Sequence, residues 1–219
     1  MKRFALCVLT LGLLIGCASH QANIRVESIA DESAAQQLRR FVVFPGNSDT
    51  DAGSLEFRNY ATQIGREMTQ RGYMQVVSPT DAEIAVFLQY QTTGPHTSTS
   101  TSVMPLWGQT GYSSSQTFGT FDQFGGYSGS TTYTPTYGVT GYMPVTNTSI
   151  YYVHGLRLSA YDVRQLFAGK RQEVWNATAT GISSDANLRD DFWILVEAIG
   201  PSIGRTQPAT TIAIKPKKN

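Results

Sequence analysis

The sequence predicts an α+β fold: a two-layer sandwich in which a mainly antiparallel sheet carries two helices on one face. Two observations support this prediction. Short segments with strand periodicity recur along the chain, and two longer segments place apolar residues at helical spacing. Their order is β-β-α-β-β, then a long insertion rich in Gly, Ser, Thr and Tyr, then β-β-α. Both helices of such a chain can cover the same face of one sheet.

The predicted strands are short segments with alternating or continuous apolar residues. They cover residues 23–29, 41–44, 73–77, 84–90, 151–160 and 175–181, with a further short stretch at 212–214. The segment 84–90 carries apolar residues on both faces, which is typical of a central strand. The alternation slips at Gly155, and this slip predicts a β-bulge there.

Two amphipathic segments predict helices. The first begins after Ser54, a residue type that caps helix N-termini, and ends at Gly72. Its apolar stripe consists of Phe57, Ala61, Ile64 and Met68. The second begins near Ser184 or Asp185 and ends before Pro201. Its stripe consists of Leu188, Phe192, Leu195 and Ile199.

The N-terminal residues have the pattern of a secretory signal. Lys2 and Arg3 precede a short apolar stretch, and residues 14–17 read Leu-Ile-Gly-Cys, which resembles a bacterial lipobox. This pattern predicts a signal peptide at 1–16 and lipid attachment at Cys17. An ordinary secretory signal cleaved nearby is the alternative.

Lipid on Cys17 makes the membrane the first predicted partner. Ala18 stands where Gram-negative lipoproteins that stay in the inner membrane usually carry aspartate, so the resemblance implies the outer membrane, facing the periplasm. The predicted tether is 17–22, and its five residues after the cysteine reach under about 20 Å. The domain is then 23–214, interrupted at 94–149, and the tail is 215–219.

Composition excludes some functions. Removing residues 1–16 takes away Lys2 and Arg3 and no acidic residue, which changes the formal charge from +1 to −1. A nearly neutral chain without a basic stripe does not predict a nucleic-acid partner. Cys7 leaves with the signal peptide, so the remaining cysteine has no disulfide partner within the chain.

Four short motifs stand in an order that resembles a known family. They are residues 71–73 (Arg-Gly-Tyr), 81–86, 155–162 and 173–175. In this order they resemble the bacterial outer-membrane lipoprotein family built on a single domain of unknown function. The resemblance covers roughly residues 23–200 apart from the insertion. It implies a fold and a location, and it implies no catalytic residues.

The insertion, residues 94–149, has an unusual composition. Asp122 is its only charged residue, about half of its residues carry hydroxyls, and nine are aromatic. Ordinary disordered segments are charged and poor in aromatics. The segments 105–112 and 135–142 share the pattern Pro-x-(Trp/Tyr)-Gly-x-Thr-Gly-Tyr at an offset of 30 residues. Two such copies can form the arms of an extended β flap.

The repeats supply the candidate binding surface. Its residues are Trp107, Tyr112, Tyr137 and Tyr142. Aromatic faces beside hydroxyls suit stacking on sugar rings as well as contact with protein, so the predicted partner is an envelope protein or a glycan. Two alternatives stay open: a mobile loop of tolerated composition, and a tract that orders only in an oligomer.

No catalytic, cofactor-binding or metal-binding motif is present in the predicted mature chain. His154 is interpreted as a structural histidine, Asp81 and Glu83 as solvated carboxylates, and the lysines of the tail as a disordered end. The sequence therefore favours a non-catalytic binding or assembly module of the cell envelope. The alternative is an envelope hydrolase that uses a carboxylate or His154.

Overall fold

The computed structural model describes residues 21–215. These residues form two compact units: one joins residues 21–95 with residues 151–215, and the other is His96–Ile150. We call the first the sheet unit and the second the ribbon. None of the helices within residues 21–215 is long and apolar enough to cross a membrane.

Within residues 21–215, seven strands form one hydrogen-bonded sheet. They are β1 (Ala22–Ala30), β2 (Arg40–Pro45), β3 (Met74–Gln75), β4 (Ile84–Phe121), β5 (Tyr127–Asp162), β6 (Glu173–Ser183) and β7 (Gln207–Ile214). Their order across the sheet is β3-β2-β4-β5-β6-β1-β7.

Four α-helices accompany the sheet in the described part of the chain. They are α1 (Glu32–Gln37), α2 (Leu55–Gln70), α3 (Val163–Phe167) and α4 (Leu188–Ile199). Short 3₁₀ turns occur at Pro79–Asp81 and Gly200–Ser202.

The predicted two-layer sandwich with a mainly antiparallel sheet and two helices is wrong. β2 pairs in parallel with both β3 and β4, whereas β1 pairs antiparallel with β6 and β7. The parallel pairs follow from α2, which separates β2 from β3 and β4 in the chain, because a helical crossover returns the next strand in the same direction. The sheet is therefore mixed.

The helix count differs because α1 and α3 have only six and five residues. Less than two helical turns is too short to show an apolar stripe. Each helix begins at an aspartate: the Asp31 carboxylate accepts from the Ala34 amide at 3.1 Å, and the Asp162 carboxylate accepts from the Arg164 amide at 2.8 Å.

The helices also lie on both faces of the sheet. Along β4, Ile84, Val86 and Leu88 belong to the main apolar core. Ala85 and Phe87 alternate with them and pack in a second cluster with Val163 and Leu166 of α3. The two predicted helices, α2 and α4, both pack in the main core, and it is the unpredicted α3 that packs on the other face.

The main core is formed by the sheet together with α2 and α4. Its largest fully buried side chains are Trp175, Tyr60, Phe41, Phe192, Ile64 and Met68. Tyr60 of α2 stacks on Phe192 of α4 with the ring centroids 3.9 Å apart. This stack joins the two long helices.

The first predicted helix is confirmed as α2. The Ser54 hydroxyl accepts from the Phe57 amide at 3.1 Å and so caps the helix. Phe57, Ile64 and Met68 are buried. Gly72 follows the helix with φ of +87°, a conformation that glycine adopts without steric cost.

The predicted start of the second long helix is wrong. α4 begins after Asn187, whose side chain accepts from the Arg189 amide at 3.2 Å. Asp185 instead accepts from the Asn187 amide at 2.9 Å, in the turn before the helix. Ser, Asp and Asn all make such local bonds, so composition alone does not select the residue that caps.

The predicted bulge at Gly155 is also wrong. β5 pairs with β6 without interruption from Tyr152 through Ala160, and the register shifts only between Ala160 and Tyr161. The apparent slip arises because the buried face of β5 carries His154 ahead of Leu156. Buried and less buried residues alternate regularly along this part of β5, but the alternation is not visible in the sequence because His154 is polar.

Candidate interaction surface

The ribbon is a two-stranded antiparallel hairpin. Its first arm is residues 96–121 of β4 and its second arm is residues 127–150 of β5. In the turn, the Asp122 carboxylate accepts from the Phe124 and Gly126 amides at 2.9 and 2.7 Å. The one acidic side chain of the ribbon therefore holds its turn.

The two sequence repeats lie opposite each other at the centre of the ribbon. A Cβ placed on Gly108 would lie 3.0 Å from Thr140 Cγ2, and one on Gly138 would lie 3.2 Å from Thr110 Cγ2. The fourth residue of each repeat therefore packs against the sixth residue of the other. A larger side chain at either glycine would crowd the threonine of the other repeat.

The hydrogen bonds between the repeats show the same reciprocity. The Thr110 hydroxyl donates to the Thr136 carbonyl at 3.3 Å, and the Thr140 hydroxyl donates to the Leu106 carbonyl at 3.2 Å. In both bonds the sixth residue of one repeat reaches the second residue of the other. The repeats are thus related by a local pseudo-two-fold axis.

The four predicted surface residues are strongly exposed. Trp107 and Tyr112 lie on the first arm, and Tyr137 and Tyr142 on the second, with exposed fractions between 62 and 72%. Tyr112 has its ring centroid 5.1 Å from that of Tyr133 across the ribbon. All nine aromatic side chains of the ribbon are more than half exposed. A monomeric protein rarely exposes so many large apolar groups together without using them.

Each arm also has an open backbone edge. β2 pairs with β4 only over Ile84–Leu88, and β6 pairs with β5 only over residues 152–161. Within residues 21–215, the sheet order gives β4 and β5 no further neighbours. From 97 to 121 and from 127 to 150, the arms therefore pair with each other along one edge and leave the other edge unpaired.

His154 has the geometry of a structural histidine. It is 1% exposed. Its Nε2 lies 3.0 Å from the Asp185 carbonyl oxygen and 3.5 Å from Asp191 Oδ2, while its Nδ1 lies 2.9 Å from the Thr92 hydroxyl oxygen. A neutral ring with the proton on Nε2 donates to the carbonyl and accepts from Thr92. Both ring nitrogens are then engaged within the fold.

Glu83 joins two strands. Its Oε2 accepts from the backbone N–H groups of Arg39 and Arg40 at 2.7 and 2.9 Å, and its Oε1 lies 3.3 Å from Arg40 Nη2. The Arg40 N–H is the largest influence that lowers the pKa of this carboxyl, and the Arg39 N–H and the guanidinium act in the same direction. Glu83 is therefore an ionised structural group, and the prediction that it is simply solvated is wrong.

The candidate groups of a hydrolase do not meet. Glu83 directly precedes β4, and Thr92, the partner of His154, lies nine residues further along the chain. Nine strand residues span about 30 Å. Asp81 lies in the 3₁₀ turn at Pro79–Asp81. The geometry gives His154 no shared site with the two carboxylates.

Sequence reasoning missed a cavity in the sheet unit. It has a volume of about 650 Å³ and is lined by side chains that include Asp49, Asp51, Glu56, Tyr60 and Arg189. Burial, together with the Glu56 carboxylate, raises the pKa of Tyr60, so its hydroxyl stays protonated. None of His154, Asp81 and Glu83 lines this cavity.

The predicted lipidation residue, Cys17, lies outside the described residues, as do the signal segment and residues 216–219 of the tail. No group of three or more His, Cys, Asp or Glu side chains within residues 21–215 is arranged to hold a metal ion.

Comparison with known proteins leaves the family open. No family model matches the chain. No curated protein matches it. Among solved structures, it is similar to a PDZ domain protein from Parabacteroides distasonis ATCC 8503, with 9% sequence identity and a TM-score of 0.47. The match covers 89% of this chain and 39% of the other, so the chain spans about two fifths of that protein's length. A similarity at this level assigns neither fold nor function.

Proposed function

We propose that this protein is a lipid-anchored binding or assembly module of the bacterial cell envelope, not an enzyme, and that the ribbon is its interacting element. The observation that carries the proposal is the ribbon's surface: eight aromatic side chains on two arms without a charged side chain, and a ninth in the turn, all more than half exposed. Exposed aromatic clusters of this kind are typical of surfaces that bind partners.

The partner that best fits this surface is a protein chain. Each arm presents unpaired backbone N–H and C=O groups along one edge, and an extended chain can satisfy them by adding as a further strand. The exposed aromatic side chains lie on the same arms, and a partner strand would cover some of them. A glycan could stack on the rings, but it offers no regular backbone for the edges.

The anchoring part of the proposal is supported by the sequence. Lipid on Cys17, at the end of the lipobox pattern, would hold the chain at the outer membrane, facing the periplasm. β1 begins at Ala22, so the chain from Cys17 to the sheet reaches under about 20 Å. The module would therefore act close to the membrane surface.

A matched pair of variants tests the proposal. The test variant replaces Trp107, Tyr112, Tyr137 and Tyr142 by serine. The control replaces four exposed apolar residues of the sheet unit by serine: Ile29, Leu55, Val77 and Ile182. After cross-linking in intact cells, the test variant is expected to lose the envelope partners that wild type and control retain. Equal recovery of partners by test variant and wild type would contradict the proposal.

A further inference from the structure

We infer that the partner of the ribbon is a second copy of this chain, which adds as an antiparallel strand to an open edge of the ribbon. This inference rests on the proposed function, because it names the partner of the same surface. It is supported by the symmetry of the repeats, by the chemistry of the open edges and by the small size of the ribbon.

The repeats already show that this sequence pairs with itself. Gly108 packs against Thr140 as Gly138 packs against Thr110, and the hydroxyl bonds between the repeats are reciprocal as well. Contacts in which i touches j and j touches i are the pattern of a two-fold interface between identical chains. A second copy carries the same segments, and so it presents a strand whose sequence is complementary to either arm.

The open edges have little of the usual protection against such pairing. Natural edge strands are blocked by charged side chains, especially lysine, or by prolines. In the ribbon the single acidic residue, Asp122, is used in the turn. Three prolines, Pro105, Pro135 and Pro144, each remove one N–H, and the segments between them keep theirs. The edges therefore stay open to another uncharged strand.

The number of strands in the ribbon also supports a second copy as the partner. The arms of the ribbon continue β4 and β5 of the sheet, but from 96 to 150 they form only two strands. A two-stranded hairpin by itself is only marginally stable in water. A strand from a second copy would supply the missing neighbour and cover exposed aromatic side chains. Copies held on one membrane by lipid would meet at a raised effective concentration.

The experiment uses full-length lipidated chains with two different tags, expressed together and extracted in mild detergent. The edge variant S115K/V139K adds one lysine to each arm, at exposed positions. The control Q123K/Q172K adds two lysines at exposed positions outside the arms. We expect wild type and control to co-purify the second tag and the edge variant to recover about tenfold less of it.

Failure to recover the second tag with wild type would overturn the inference, as would equal recovery by the edge and control variants. If cross-linking from the ribbon then recovers a different envelope protein or a glycan, the proposed function stands and the second copy is excluded. If cross-linking recovers no partner, both fail. Should protease cut the double variant faster than wild type, V139K alone is measured instead, with an intermediate loss expected.

Discussion

Gly108 and Thr140 meet at the centre of the ribbon, where a Cβ on Gly108 would crowd the Thr140 side chain. Gly108→Val should push the arms apart and cost about 1–2 kcal/mol of local stability. Amide hydrogen exchange in residues 96–150 should then quicken by about tenfold or more. The second substitution Thr140→Gly removes the clash and should restore slow exchange. Equally fast exchange in the single and double variants would show that this contact does not hold the arms together.

Glu83 gives the sheet unit an acid-sensitive contact. Its pKa is lowered from the ordinary 4.5 by the Arg40 and Arg39 N–H groups and the Arg40 guanidinium. The ionised carboxylate therefore stabilises the fold above pH 4.5, the ordinary pKa. This contribution to stability is lost as the pH falls through the lowered pKa of the folded state. Glu83→Gln should reduce the free energy of unfolding by about 1–2 kcal/mol at neutral pH.

The difference between Glu83→Gln and wild type should shrink as the pH falls below 4.5, because protonation then makes the two side chains alike. Urea unfolding at several pH values measures this difference. A difference that is independent of pH would show that the ionised form of Glu83 contributes nothing.

Among the elements, α2 could be predicted from sequence with its cap, its apolar stripe and its terminating glycine. These signals lie within one segment and depend on local geometry. The parallel pairing of β2 with β4 could not be predicted, because strand direction depends on contacts between distant segments. α1 and α3 could not be predicted for a different reason, because helices of six and five residues are too short to show an apolar periodicity.

The candidate site could also be predicted only in part from the sequence. The repeats and the scarcity of charge in 94–149 are visible in the sequence, and they offered a β flap with Trp107 and Tyr137 on its two arms as one of three alternatives. The reciprocal register of the repeats comes only from the pairing of the arms. The acidic cavity is invisible because its lining comes from three distant segments, which include Asp49, Tyr90 and Arg189.

The stack between α2 and α4 should dominate the stability of the sheet unit. Phe192 is fully buried against Tyr60, whereas Phe118 in the ribbon is 69% exposed. Phe192→Ala should lower the free energy of unfolding by about 3–5 kcal/mol. Phe118→Ala removes the same atoms from an exposed site and should cost under about 0.5 kcal/mol. Similar losses in urea unfolding would contradict the assigned core.

In the whole molecule, we expect the sheet unit to provide the stability of the fold and the ribbon to provide the interaction with a partner. The apolar core contains no residue from His96–Ile150. Replacing that segment by a two-residue Asn-Gly turn should therefore leave a cooperatively folded sheet unit, with its free energy of unfolding changed by under about 1 kcal/mol. Thermal and urea unfolding measure this directly. A shortened chain that fails to fold would show that the sheet unit depends on the ribbon.

We expect the ribbon, and not the sheet unit, to bind the partner of this protein in the envelope. Site-specific photo-cross-linking in intact cells tests it most directly. The probe residue is placed at Tyr137, 71% exposed in the ribbon, or at Val77, 99% exposed in the sheet unit. We expect cross-linked products from position 137, including a dimer of this chain, and none from position 77. Products from position 77 alone, or the same products from both positions, would contradict it.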